Sequence, residues 1–181
     1  MQRYIAFLSG LPVGRNGIEM STLKAHFNRL GFLNVETYLT SGNVAFDTTP
    51  VGLVAPLEAQ ISRHLSRSVG TQVTTFIRTP EEIATIVANA PATEKEGSPT
   101  FVILLSDALD ARADRRVRVR ELYPVGREVY WVRDPEDSET PPPALADVLD
   151  TPATVRSLNT LKHFASKQPA PRTTESELFR R

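Results

Sequence analysis

The order of apolar patterns in the first 78 residues constrains the fold more than any other feature of this chain. Arg3 to Ser9 is a short, nearly continuous apolar run, as a central strand makes when both its faces are covered. The glycine-rich stretch from Gly10 to Gly17 can continue neither a strand nor a helix. Met20, Leu23, Phe27 and Leu30 then recur at spacings of three and four, which is helical, and Gly31 stands where a left-handed C-terminal residue is expected. Val35 to Leu39 reads as a strand, Thr40-Ser41-Gly42-Asn43 as a turn, and Val44 to Phe46 as the returning arm of a hairpin. A second helix carries Val54, Leu57, Ile61 and Leu65 on one face and meets Gly70, with Pro56 tolerated in its first turn. Gln72 to Arg78 alternates as a strand. This is the β-α-β-β-α-β order of a ferredoxin-like sheet.

The order then begins again. Thr79-Pro80-Glu81-Glu82 is a capping box with proline at the first helical position, and the helix it opens ends before Pro91. Ile5-Ala6-Phe7-Leu8-Ser9 can be laid over Val102-Ile103-Leu104-Leu105-Ser106, within a strand from Thr100 to Leu105. A short helix from about Ala108, a strand near Val119 to Tyr123, a turn over Pro124 to Arg127 and a strand from Val129 to Val132 follow. Pro141 to Leu149 reads as a helix start, and a final helix runs from about Ser157 with Leu158, Leu161 and Phe164 inward. The expected architecture is α+β: two ferredoxin-like (split βαβ) repeats sharing one core. The first repeat covers 1–78, a connecting helix and loop 79–99, the second repeat with the final helix 100–167. Residues 168–181 lack a periodic apolar face and are expected to be a mobile tail.

Composition narrows the partners. Lysine and arginine number 21 and aspartate and glutamate 21, so no charge excess marks the chain for a polyanion. With no cysteine there is no disulfide, thiolate nucleophile or sulfur-ligated zinc. No apolar run is longer than the five residues of Phe101 to Leu105, far short of a membrane span, and the N-terminal apolar stretch is too short for a signal-peptide core. A cytoplasmic chain that does not enter membranes is the expectation.

Four segments carry a resemblance. They are Tyr4-Ile5-Ala6-Phe7-Leu8 through Val13-Gly14-Arg15-Asn16 to Ile18-Glu19-Met20; Thr37 to Val44; Val125-Gly126-Arg127-Glu128-Val129-Tyr130; and Ala153-Thr154-Val155-Arg156 with Asn159-Thr160. In this order they resemble a bacterial family known as domain-of-unknown-function family 1697. The resemblance implies two ferredoxin-like repeats and no established activity. Leu158 stands where that family more usually has tryptophan, and Glu139-Thr140-Pro141-Pro142-Pro143 where a Ser-Lys element is common.

The chemistry on offer is that of binding. Gly10 to Gly17 lies where phosphate loops lie, yet no Lys-Ser or Lys-Thr follows and the glycine spacing is no dinucleotide fingerprint. A loop needing positive φ angles before the first helix is the leading reading, and Arg15 with Asn16 keeps an anion site as the lesser one. In a right-handed βαβ unit the loop after the first strand and the turn between the second and third lie at one end of the sheet. Gly14, Arg15 and Asn16 are therefore expected near Ser41, Gly42 and Asn43. They form either a polar cleft for a small polar or anionic ligand or two turns that brace each other. Arg156, Asn159 and Thr160, at the start of the last helix, are candidates for a similar role. His26, His64 and His163 have no helical pair spacing for metal, and read as helix-surface residues. The run Arg112, Arg115, Arg116, Arg118 and Arg120 is interleaved with acids and reads as a solvated face. RNA recognition needs stacking aromatics that Ser41 to Phe46 does not display, so nucleic acid is not the expected partner. Neither a cofactor nor a catalytic motif is legible. A binding module for a small polar or anionic ligand, or for a protein partner, is the expected function. An enzyme with acid–base groups assembled from separate loops is the alternative.

Overall fold

The computed structural model describes residues 1–12, 17–38, 42–92, 98–109, 122–133 and 151–167. Its first repeat is β1 (Gln2–Ser9), α1 (Met20–Arg29), β2 (Leu33–Tyr38), β3 (Asn43–Thr48), α2 (Ala55–Val69) and β4 (Thr74–Arg78). α3 (Pro80–Ala88) follows, then β5 (Thr100–Leu105), β6 (Leu122–Val125), β7 (Glu128–Val132), β8 (Ala153–Ser157) and α4 (Leu158–Lys167). The strands make two four-stranded antiparallel sheets, ordered β2-β3-β1-β4 and β6-β7-β5-β8. β1 and β5 thus hold equivalent positions, as the self-similarity of their sequences predicts. The helices expected near 108 and 141, the arginine run at 112–120 and the tail 168–181 lie wholly or almost wholly outside the described residues.

Each sheet is buried on both faces, which explains why β1 does not alternate. Tyr4, Ala6, Leu8, Val44 and Phe46 face Leu23 and Phe27 of α1 and Leu57, Ile61 and Leu65 of α2. Ile5, Phe7, Ala45 and Phe76 on the opposite face join Val102, Leu104 and Tyr130 of the second sheet, with α3 and α4 packed in the same cluster. The two repeats therefore share one core through α3 and α4.

Local chemistry sets the ends. Thr79 Oγ1 accepts from Glu82 N while the Glu82 carboxylate accepts from Thr79 N, so the capping box is complete. Gly70 closes α2 at φ 73°. β6 extends through Pro124 and Val125, which the sequence reading assigned to the turn, and leaves Gly126-Arg127 as a two-residue connection. Pro124 is tolerated because β6 is an edge strand. β8 is an addition: sequence patterning expected only the helix that follows it.

The outer edge of β4 is sealed by α2. Glu58, Ser62 and Ser66, four residues apart on the helix, accept from Ile77 N (2.7 Å), Thr75 N (3.0 Å) and Val73 N (2.9 Å). The spacing works because four helical residues rise about 6 Å and two strand residues about 6.6–6.8 Å. Side chains replace a neighbouring strand, and the edge offers no template for another chain. Burial pushes the Glu58 carboxyl above its ordinary value, against the pull of Ile77 N–H and Arg78. A carboxyl raised by folding loses stability as pH rises from the unfolded value of 4.5 through the folded one. Glu58→Gln keeps the acceptor and removes the buried charge. Its melting temperature should exceed the parent's by a degree or more at pH 7.5, and the difference should shrink on acidification and vanish only below pH 4.5.

Candidate functional site

The candidate residues divide between a buried brace and an open cleft. Gly14, Arg15, Asn16 and Ser41 lie outside the described residues. Their flanks adjoin: Leu8 N donates to Gly42 O at 2.9 Å, Ile18 N closes the first loop on Pro12 O at 3.0 Å, and Gly42, at φ 69°, sits on the side chains of Leu8 and Leu11.

Asn43 and Arg156, 113 positions apart, meet in the core between the repeats: Arg156 Nε donates to Asn43 Oδ1 at 2.8 Å. Arg156 Nη1 donates to Thr154 Oγ1 and Val155 O, and Nη2 to Leu8 O, each at 2.8 Å. The guanidinium lies over the Phe7 ring, 5.7 Å from its centre. Asn43 is fully buried and Arg156 nearly so. Burial lowers the Arg156 guanidinium to about 10, so it is charged at neutral pH.

Arg78 makes the same brace in the opposite sense. Its Nε donates to Glu128 Oε1 at 2.8 Å, Nη1 to Ile77 O at 2.8 Å, and Nη2 to Leu105 O at 3.0 Å and Arg127 O at 3.3 Å. Leu105 stands opposite Ala153 in its sheet as Leu8 stands opposite Thr75; Arg78 faces Ile5 as Arg156 faces Val102. Asn43 and Glu128 each begin the strand beside the central one. The two arginines are thus exchanged between repeats by an internal two-fold. Their polar capacity goes into joining the halves.

Asn159 and Thr160 occupy the first turn of α4, where Ser157 Oγ accepts from Thr160 N at 3.2 Å as an N-terminal cap. Asn159 is exposed and borders a cleft of about 580 Å³ between the C-terminal end of α3 and the N-terminal end of α4. Val87, Ala90 and Leu158 supply apolar wall; Ser98, Thr100, Ser157, Asn159 and Lys162 supply polar groups. Lys162 is its one titratable side chain among the described lining residues. Sequence reading missed Lys162, since one lysine on a helix carries no local signature. A smaller cleft of about 260 Å³ lies over Glu82, Arg127, Glu128 and Tyr130, where Arg127 Nη2 pairs with Glu82 Oε1 at 2.9 Å. Tyr130 OH donates to Ile86 O at 2.8 Å, and burial with nearby Glu128 pushes the phenol up to about 12.

Folding also makes a pair that spacing could not disclose. His26 of α1 and His64 of α2 approach to 3.1 Å between Nδ1 and Nε2. Burial, then the charges of His64 and Arg29, hold His26 below its ordinary value, so its imidazole is neutral at neutral pH. His163 instead faces the rings of Tyr38 and Phe164.

Residues 1–133 match the family model described as protein of unknown function (DUF1697). A conserved bacterial protein from Streptococcus pneumoniae, SP0830, has a similar solved structure, with a TM-score of 0.65 and 19% identity over 94% of this chain and 99% of that one. At that identity the likeness is one of fold. No curated protein matches the sequence. No helix among the described residues is long and apolar enough to cross a membrane. With the family pattern spanning most of its length and both sheets in place, the chain belongs to the DUF1697 family.

Proposed function

We propose that the protein is a binding module for a small anionic molecule, held in the cleft between α3 and α4. The observation that carries this reading is the cleft itself: about 580 Å³, bordered by Lys162 and Asn159 at the open end of α4. That volume falls within the usual span of ligand sites, roughly 300–1,000 Å³. Lys162 supplies a positive charge and Asn159 an orienting amide, and the N-terminal end of the α4 dipole favours an anion. Val87, Ala90 and Leu158 would cover a compact apolar body. A carboxylate or phosphate monoester with a short hydrocarbon or ring portion has that chemistry. Binding is favoured over catalysis because one lysine among the described lining residues offers charge without an acid–base partner.

Thermal-shift measurements with inorganic phosphate, short-chain and aromatic carboxylates, and nucleoside monophosphates test this directly. At least one anion should raise the melting temperature by several degrees at millimolar concentration. Lys162→Ala should remove most of that shift, because one charge-assisted hydrogen bond is worth about 1.5–3 kcal/mol, or roughly ten- to a hundredfold in affinity. Lys162 is exposed, so the ligand-free variant should melt within a degree or two of the parent. A panel without a hit, or a hit that Lys162→Ala leaves intact, overturns the assignment.

A further inference from the structure

The packing of α1 against α2 brings together two imidazoles whose nitrogens have the separation of two ligands to one ion. His26 Nδ1 and His64 Nε2 are 3.1 Å apart, with the rings inclined at 70°. Two nitrogens each about 2.0–2.1 Å from a shared metal lie about 2.9 Å apart at a right angle and about 3.4 Å apart at a tetrahedral one. The observed distance falls between these limits. We propose that His26 and His64 bind one divalent transition-metal ion, copper(II) in preference to nickel and zinc.

Imidazole suits these three ions, and for a nitrogen site with no imposed geometry copper(II) is the strongest of them. His26 is nearly buried and held by its helix, whereas His64 is partly exposed, so the pair is anchored on one side and open to solvent on the other. In the metal-free pair one ring nitrogen donates to the other. When a metal enters, that proton moves to the far nitrogen of its own ring, and both facing lone pairs become ligands with no net proton release. Among the described residues no group of three or more histidines, cysteines, aspartates or glutamates forms. The ion would therefore keep water in its remaining positions. Arg29, one turn beyond His26, opposes a cation, so the ion is held more weakly than in a closed structural site.

The test uses the untagged full chain, stripped with chelator, at pH 7.5. Calorimetric titration should show one copper(II) per chain, bound at least tenfold more tightly than nickel or zinc. Electron paramagnetic resonance of the copper-loaded protein should show coupling to two imidazole nitrogens. His64→Gln, at a partly exposed position, should weaken copper at least tenfold while melting within a few degrees of the parent. His163→Gln, on α4 and away from the pair, should leave binding unchanged. The proposal is overturned if copper binds the His64→Gln chain as tightly as the parent, if the resonance shows fewer than two imidazole nitrogens, or if no copper binds. The spectrum of the parent decides the matter even if a substituted chain fails to fold.

Discussion

Arg78→Ala should destabilise the chain by about 3–5 kcal/mol, the usual loss when one member of a buried ion pair is removed. For a chain of 181 residues this is a fall in melting temperature of roughly 6–20 °C. The Arg78 side chain is wholly buried and Glu128 is 15% exposed, so truncation strands a carboxylate with little access to water. It also removes the donors to Leu105 O and Arg127 O, which belong to the other repeat, and opens a void at the join. Arg78→Lys should recover less than half of the loss. A single ammonium cannot satisfy a carboxylate and three carbonyls that a planar guanidinium reaches at once. Arg156→Ala, which strands the Asn43 amide and the Thr154 hydroxyl and removes the donor to Leu8 O, should also lower the melting temperature. Adding Glu128→Gln to Arg78→Ala should restore part of the stability, since the orphaned charge disappears. Thermal melts of the four variants check the order. An Arg78→Ala chain melting within two degrees of the parent would show that the repeats are held by their apolar core alone.

These arginines also explain what was and was not legible in the sequence. The first repeat reads well because every element carries its own period or cap: Met20 to Leu30 for α1, Leu57 to Leu65 for α2, the Thr79–Glu82 box for α3. β5 is equally plain, being a run of apolar residues flanked by Pro99 and Ser106. β8 is not. Only Val155 is a large apolar residue there, and Arg156 points inward to acceptors as far as 148 positions away. A buried arginine looks like an exposed one until its partners are placed, so this strand reads as the approach to a helix. Asn43 and Arg156 drew notice as polar groups able to meet a ligand, and each has the other as a partner. Of the two loops that topology sets at one end of the sheet, the described flanks meet, Leu8 N donating to Gly42 O with Leu11 beside it, while Gly14, Arg15, Asn16 and Ser41 lie outside the described residues. The His26–His64 pair was out of reach, because only the packing angle of two helices brings positions 38 apart into contact. Asn159 was legible as a helix-start amide; the cleft beside it depends on where α3 ends, which no local pattern states.

Gly10→Ala should be comparably severe, at about 3–5 kcal/mol, and for a reason that bears on how the loop after β1 is read. Gly10 has φ 76°, and a Cβ there would lie 2.2 Å from the Gln72 carbonyl oxygen. The left-handed backbone alone costs a non-glycine residue about 1–2 kcal/mol. The overlap adds more, because the obstructing atom is backbone on the approach to β4 and cannot rotate away. Moving Gln72 would pull at Val73, whose N–H is held by Ser66 Oγ at 2.9 Å, and so at the sealed edge of the sheet. Gly70→Ala is the control: it has φ 73° with nothing within 4 Å of the added carbon, so it should lose only the conformational part. The difference between the two melting temperatures isolates the close approach. Hydrogen exchange should locate it, with the amides of Val73 and Thr75 losing protection in Gly10→Ala and keeping it in Gly70→Ala. The first glycine of the stretch from Gly10 to Gly17 is then required by the backbone of Gln72 lying against it, independently of any ligand. Equal destabilisation by the two substitutions would sink that explanation and return Gly10 to the set of residues whose purpose lies in the loop.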